Sequence, residues 1–272
     1  MPELAEVDHA RKLWDVGVGA KVLEVIVPKP AVRVLRGTDV DALTAGLTGR
    51  VLAESEASGK QMVFRFGAKR DRWLGVHLGM RGRLRVEPED AELEKHDYLA
   101  LRQRGRMLVF NDARVFGRLL YHEGVDAPEW WAKLPPSIFS AAFSREAVGA
   151  FLERRKRTPL KPLLLMQERF PGVGNWMADE ILWRARLHPR RLAGGMSTKE
   201  IGALWRTVRD VCVKSVEQID DDWQYPRTWL FPHRWTDGGT CPRCRGGLER
   251  AVIGGRRTCW CPGCQGVGGV EC

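Results

Sequence analysis

No stretch of this 272-residue sequence approaches the ~20 consecutive apolar residues of a membrane-spanning helix. Its first residues, MPELAEVDHARK, carry acids where a secretory leader needs a basic and then an apolar segment. These absences give the expectation of a cytoplasmic protein, nucleoid-associated if bacterial. A long internal repeat is also lacking, which excludes a solenoid or propeller. A disulfide framework does not suit a reducing compartment, and five of the seven cysteines crowd into residues 241–264, which points to metal. Acidic residues are in deficit: 34 Asp and Glu face 44 Lys and Arg, a formal net charge of +10. A surplus of this size favours a polyanionic partner, because neutralising phosphates drives association.

What is present divides the chain. Pro2, Glu3 and Glu6 suit the first turn of a helix over residues 2–15, in which Leu4, Val7, Ala10, Arg11 and Trp14 recur at three- and four-residue spacing. Residues 20–122 hold seven short β-branched or aromatic runs (22–27, 61–66, 74–79, 83–86, 97–102, 106–110 and 117–121) punctuated by Gly, Asp and Pro. They predict an antiparallel sandwich or barrel. Residues 123–137, with Pro128, Pro135 and Pro136, read as a linker. Helical character follows over 144–218: Ser144 can cap one helix, PGVGN (171–175) opens another, and Ser197 with Glu200 forms a capping box for a helix to about Gln218. Residues 219–240, with Trp223, Trp229 and Trp235, read as irregular.

Cys241 and Cys244, and Cys261 and Cys264, form two C-x2-C knuckles separated by 16 residues. Two knuckles supply the tetrahedral thiolate set that zinc prefers. Four thiolates close the coordination shell, so one structural Zn2+ is expected rather than a catalytic one. Cys259 competes with Cys261 for the set, but only Cys261 keeps the two-residue spacing to Cys264. Cys212 reads as a buried helix residue and Cys272 as a free tail thiol. The segment between the knuckles reads as a β-hairpin turning at Gly254 and Gly255, with Arg256 and Arg257 at its tip.

Chemistry enters at the second residue. A small residue after Met1 allows the initiator to be removed, leaving Pro2 as a free secondary amine. An α-amino group titrates near pH 8, well below a lysine side chain, and a helix N-terminus depresses it further. Such an amine can attack an electrophilic sugar carbon to form a Schiff base, with Glu3 beside it as acid or base.

PELAEV at the N-terminus, SGK at 58–60, HLGMRGRL at 77–84, DARVFG at 112–117, PGVGN at 171–175 and the terminal four-cysteine hairpin occur in one order through essentially the whole chain. Together they resemble the formamidopyrimidine-DNA glycosylase/endonuclease VIII family of base-excision repair enzymes. The resemblance implies an α+β multidomain fold. An N-terminal antiparallel β-sandwich with an N-terminal helix would span 1–135, a helix-two-turn-helix domain 136–222, and a linker with a C-terminal β-hairpin zinc finger 223–272. It implies double-stranded DNA with a damaged base or abasic site as partner, no organic cofactor, and a monomer.

The resemblance also assigns roles. Pro2 would attack C1′ of the damaged nucleotide, and Glu3 would protonate the sugar ring oxygen and then manage proton transfers. Glu6 matches the second acidic residue of the family start. Lys60, Asn175, the backbone of Gly172 and Gly174, and Arg256 would hold phosphates around the lesion. Met80, Arg114 and Phe116 would fill the gap left by the everted base, whose unstacking costs a few kcal/mol. His77 and Met107 read as structural. The imine would acidify the 2′-hydrogens, so that β- and then δ-elimination break the strand.

Ala5 stands where the usual start repeats proline, and WQYPRTWLFPHRW (223–235) resembles plant-type relatives although a four-cysteine finger follows. The start motif points to oxidised purines, of formamidopyrimidine, hydantoin or 8-oxoguanine type. The alternatives are an endonuclease VIII-like enzyme for oxidised pyrimidines and a catalytically inactive damaged-DNA-binding protein.

Overall fold

The computed structural model describes residues 1–30, 32–219, 224–235 and 237–266. Trp223 and the tail thiol Cys272 lie outside the described residues. The chain forms two compact units: Met1–Pro2 with Glu6–Leu134, and Glu3–Ala5 with Pro135–Cys272. Among the described residues, no helix is long and apolar enough to cross a membrane.

The first unit is an antiparallel β-sandwich, as the sequence predicts. Helix α1 (Leu4–Leu13) ends in a 3-10 turn at Trp14–Gly17. One sheet is built from β1 (Val22–Ile26), β5 (Arg83–Glu87), β6 (Asp97–Gln103) and β7 (Arg106–Asn111), in the order β1-β6-β7-β5. The other contains β2 (Leu52–Ser58), β3 (Gln61–Phe66), β4 (Arg72–His77) and β8 (Arg118–Glu123), in that order. Alternating side chains of both sheets meet in one core: Met62, Phe64, Phe66, Leu74 and Val76 from one, Leu99, Leu101, Leu108 and Phe110 from the other. Burial of each contributes about 1.5–3 kcal/mol. Trp14 closes this core, fully buried, with its ring 4.8 Å from Phe64 and its indole N–H donating to the Arg85 carbonyl.

Two helices and one strand of this unit escape the sequence reading. Helix α2 (Val40–Leu47) is capped by Asp39, which accepts from the Ala42 N–H at 3.0 Å, and it buries Leu43 and Leu47. Strand β2 (LAESEAS) is an edge strand, so it does without the β-branched residues that mark the others. The supposed linker at 123–137 carries a short helix, α3 (Glu129–Ala132), started by Pro128. A β-carbon on Gly75 of β4 would come within 2.6 Å of Trp130, so this segment packs on the sandwich rather than leaving it.

The second unit contains α4 (Arg145–Glu153), α5 (Leu160–Leu164), α6 (Asn175–Arg184), α7 (Thr198–Gln218) and the hairpin β9 (Glu249–Ile253) and β10 (Arg256–Trp260). Ser144 caps α4 by accepting from the Ala147 N–H, and Ser197 with Glu200 forms the expected reciprocal capping box. Phe143, Phe151, Leu160, Phe170, Ile181, Leu204 and Val208 form the main core. Helix α6 lies at the centre: every residue from Trp176 to Trp183 is buried, Asp179 and Glu180 included. A helix buried all round must pair its charges internally. A small second core joins Trp183 to Leu230, Leu248 and the buried cysteines of the hairpin module.

Candidate active site and phosphate-binding residues

In the first unit, Pro2 is buried while Met1 is exposed, and Glu6 is buried in the first turn of α1. Lys60 sits in the two-residue turn between β2 and β3. The loop after β4 and the loop between β7 and β8 are brought together. A β-carbon on Gly79, whose φ is +59°, would come within 2.3 Å of the Phe116 backbone, so only glycine allows this approach. Asp112, fully buried, shapes the second loop: its carboxylate accepts from the N–H groups of Arg114 at 3.0 Å and Gly117 at 2.6 Å. Between them Val115 takes φ +56°, a conformation costly for a β-branched residue that the surrounding bonds enforce. The result presents Phe116 at 43 % and Met80 at 38 % exposure, with the Arg114 guanidinium 5.1 Å from the Phe116 ring centroid. Taken singly, Met80 and Phe116 would read as core residues; the two loops turn them to the surface instead. His77 Nδ1 accepts from the Gly79 N–H at 3.0 Å. Burial first, then the charges of Lys60 and Arg118, hold its pKa below the usual histidine value.

In the second unit, Glu3 is the organising residue. Helix α6 starts at Gly174, which has no side chain to satisfy the first N–H groups of the helix. Glu3 supplies that cap from 171 residues away in sequence. Its carboxylate accepts from the N–H of Gly174 at 2.9 Å, Trp176 at 3.0 Å and Met177 at 3.0 Å. Glu3 therefore serves the positive end of α6, whereas the sequence suggested only the start of its own helix. A β-carbon on Gly174 would lie 2.2 Å from Glu3 Cδ, and one on Gly172, at φ +86°, would lie 2.7 Å from Leu4 Cβ. These two glycines thus make room for the N-terminal residues. In this structure the Gly172 N–H is taken by Gln167, that of Val173 by the Phe170 carbonyl, and that of Gly174 by Glu3.

Asn175, the first residue of α6, donates from Nδ2 to the Arg257 carbonyl at 2.8 Å, so the structure joins it to the finger hairpin. Arg256 is exposed directly after the turn at Gly254 and Gly255, and the tip rests near Pro162, 2.8 Å from where a Gly254 β-carbon would be. Beneath this junction lies a charged network that sequence reading missed. Lys161, fully buried, donates to the Asn175 carbonyl and to Asp179, both at 2.6 Å. Asp179 also accepts from Arg234 Nη2 at 2.6 Å and from the Cys259 N–H at 3.1 Å. Burial lowers the Lys161 pKa, and Asp179 opposes that shift. The available signal was a single lysine within the apolar segment PLKPLLL.

The sulfurs of Cys241, Cys244, Cys261 and Cys264 lie within 4.8 Å of one another. Cys241 and Cys264 are 3.9 Å apart, and Cys244 and Cys261 3.4 Å. A tetrahedral zinc with bonds of about 2.3 Å requires sulfur separations of about 3.8 Å, so this set fits one zinc ion with no position left for water. Burial opposes ionisation of Cys241, but the N–H groups of Cys244 and Arg243 and the Trp183 indole outweigh it and bring the thiol to about 6. Cys259 stands outside the set; burial first and Asp179 next push it up to about 11.

Comparison with known proteins matches these features in chain order. Residues 1–119 match the model of the formamidopyrimidine-DNA glycosylase N-terminal domain, and residues 134–224 that of the formamidopyrimidine-DNA glycosylase H2TH domain. The chain is 33% identical over 279 residues to the formamidopyrimidine-DNA glycosylase of Laribacter hongkongensis, covering 97% of this chain and 100% of that protein. It is 35% identical over 281 residues to the enzyme of that name from Thermus thermophilus, covering 98% and 100%. Among solved structures, a complex of wild-type Lactococcus lactis Fpg (MutM) with oxidised-pyrimidine-containing DNA superposes with a TM-score of 0.86 at 26% identity, covering 97% of this chain and 100% of that one. A complex of Lactococcus lactis Fpg with abasic-site DNA gives 0.85 at 27% identity, covering 97% and 99%. The sandwich, the helical domain and the four-thiolate hairpin together define a DNA-repair glycosylase. The chain belongs to the formamidopyrimidine-DNA glycosylase family, a family of glycosylases with abasic-site lyase activity.

Proposed function

We propose that this chain excises oxidised purines, of formamidopyrimidine, hydantoin or 8-oxoguanine type, from double-stranded DNA and then cleaves the strand at the resulting site. The observation that carries the reading is the anchoring of Glu3. A carboxylate held by three backbone N–H groups directly follows the residue whose amine would react. With Met1 removed, the Pro2 nitrogen attacks C1′, the base leaves, and an imine forms between Pro2 and the opened sugar. Glu3, fixed in place, takes the proton that the Pro2 nitrogen loses as the imine forms, passes it to the ring oxygen as the C1′–O bond breaks, and manages the later proton transfers. The imine acidifies the 2′-hydrogens; β-elimination breaks the 3′ phosphodiester and δ-elimination releases the sugar.

In this reading Lys60, Asn175 and Arg256 hold phosphates flanking the lesion, while Met80, Arg114 and Phe116 occupy the space of the everted base. Their surface exposure and the Asp112-braced loop support that role. Glu6 braces the start of α1. Zinc, held by Cys241, Cys244, Cys261 and Cys264, keeps the hairpin folded so that Arg256 is presented. One chain carries every group, so a monomer suffices, and the work lies where DNA is, in the cytoplasm or nucleoid.

Duplexes bearing single lesions test the substrate. Cleavage of formamidopyrimidine or hydantoin duplexes, abolished in Pro2→Gly, supports the proposal. Strong thymine glycol cleavage without formamidopyrimidine activity would move the enzyme to the oxidised-pyrimidine class. Lesion binding with no excision of any base would leave a damage-binding protein.

A further inference from the structure

The first unit contains a cavity of about 530 Å³; of the residues lining it, the proposed reaction uses only Phe116. Arg33, Arg36 and Arg118 line it together with His77, Phe116 and Trp130. Its wall is β4, where Gly75 leaves room for the Trp130 ring, and its frame is the segment before α2, tied to β8 by a hydrogen bond from Thr38 Oγ1 to the Leu119 carbonyl at 2.8 Å. Arg118 Nη2 reaches the Arg36 carbonyl at 3.5 Å, and the Arg33 guanidinium lies 5.6 Å from the Phe116 ring centroid. No carboxylate lines the cavity among the described residues, and none forms an ion pair there with any of the three arginines. Three arginines line this one space, and their like charges favour an anion there. Burial first, then the charges of Lys60 and Arg118, lower the pKa of His77, which lines the same space. Guanidinium forks match phosphate oxygens, and an indole offers a face on which a base can stack. The volume falls in the range of small-molecule sites, about 300–1,000 Å³.

The structure assigns to this cavity the binding of one nucleotide phosphate, with its base against Trp130. The phosphate belongs either to a strand of bound DNA, a version that rests on the proposed function, or to a free nucleotide, a version that does not. The test uses the full-length zinc-loaded protein, the double variant Arg36→Gln/Arg118→Gln, and Trp130→Phe. Fluorescence of Trp130, isolated as the difference between wild type and Trp130→Phe, is titrated with dAMP, deoxyadenosine and inorganic phosphate. Binding of an undamaged duplex is measured against salt concentration.

If the cavity holds a free nucleotide, dAMP quenches Trp130, deoxyadenosine does not, and the double variant loses the response. If it holds a strand phosphate, the double variant binds duplex about tenfold more weakly, and the slope of log K against log salt falls by roughly 0.9. Either result sustains the assignment and names the source. A silent Trp130 together with unchanged duplex affinity and slope overturns it. Borohydride trapping on abasic DNA at saturating concentration separates the two readings. Trapping retained in the double variant places the cavity outside the chemistry, whereas no trapping in the wild type removes the Pro2 mechanism and leaves the dAMP result standing.

Discussion

Gly174→Ala is the most informative single substitution. Gly174 has φ −121°, a value open to alanine, so the backbone itself resists nothing. The added methyl would lie 2.2 Å from Glu3 Cδ and 2.4 Å from Glu3 Oε1, with no flexible neighbour to yield except that carboxylate. Glu3 must leave, and three buried N–H groups at the head of α6 lose their acceptor. A hydrogen bond to a charged group contributes about 1.5–3 kcal/mol, and entering water restores part of what is lost. The net destabilisation is then about 4 kcal/mol. For a unit of this size that lowers Tm by roughly 10 °C. Calorimetry or urea unfolding measures the stability, and single-turnover excision measures the chemistry, which should fall with the displaced carboxylate while duplex binding changes little. Gly195→Ala, where an added methyl meets nothing within 4 Å, serves as control and should lie within about 0.5 kcal/mol of wild type. A Gly174→Ala protein with wild-type Tm and wild-type excision would refute the capping argument.

Three further outcomes follow from the same geometry. Cys264→Ser should lose the single bound zinc and weaken DNA binding, whereas Cys259→Ser should retain one zinc per chain by metal analysis, because Cys259 lies outside the sulfur cluster. Asp179→Ala strands the Lys161 and Arg234 charges in the core and should cost about 3–5 kcal/mol by urea unfolding, with Lys161→Met/Asp179→Leu recovering only the Lys161 share because Arg234 stays unpaired. His77 accepts the Gly79 N–H on Nδ1, which requires the neutral ring, and its folded pKa lies below the unfolded 6.5. The unfolded state therefore takes up the proton first, so stability declines as pH falls below 6.5 and levels off below the folded pKa. In His77→Gln that part of the stability–pH curve should flatten.

Much of this molecule is legible in its sequence, and what is not has a physical cause. Strand β3 falls at 61–66, the run that marks it, because Met62, Val63, Phe64 and Phe66 make it apolar and rich in strand formers; the α7 capping box is spelled out by Ser197 and Glu200. Strand β2 is hidden because an edge strand of Leu, Ala, Glu and Ser carries no such signal. Helix α3 is hidden by the prolines around it, though Trp130 is what covers Gly75. The four zinc ligands follow from spacing alone, since each knuckle is local. The Glu3 cap on α6 and the Lys161–Asp179–Arg234 network depend on residues far apart in the chain, and no periodicity reports such pairs. That a distant carboxylate takes the Gly174 N–H, which the local motif leaves open, was hidden for the same reason.

The central claim is that chemistry resides at the N-terminal amine. The protein, with loss of Met1 verified by mass spectrometry, is incubated with abasic-site duplex and borohydride, digested, and the cross-linked peptide sequenced. The account predicts one adduct, on the peptide beginning at Pro2, formed in wild type and absent in a form that retains Met1. An adduct on Lys60 or any other lysine, or undiminished trapping with Met1 in place, would contradict it.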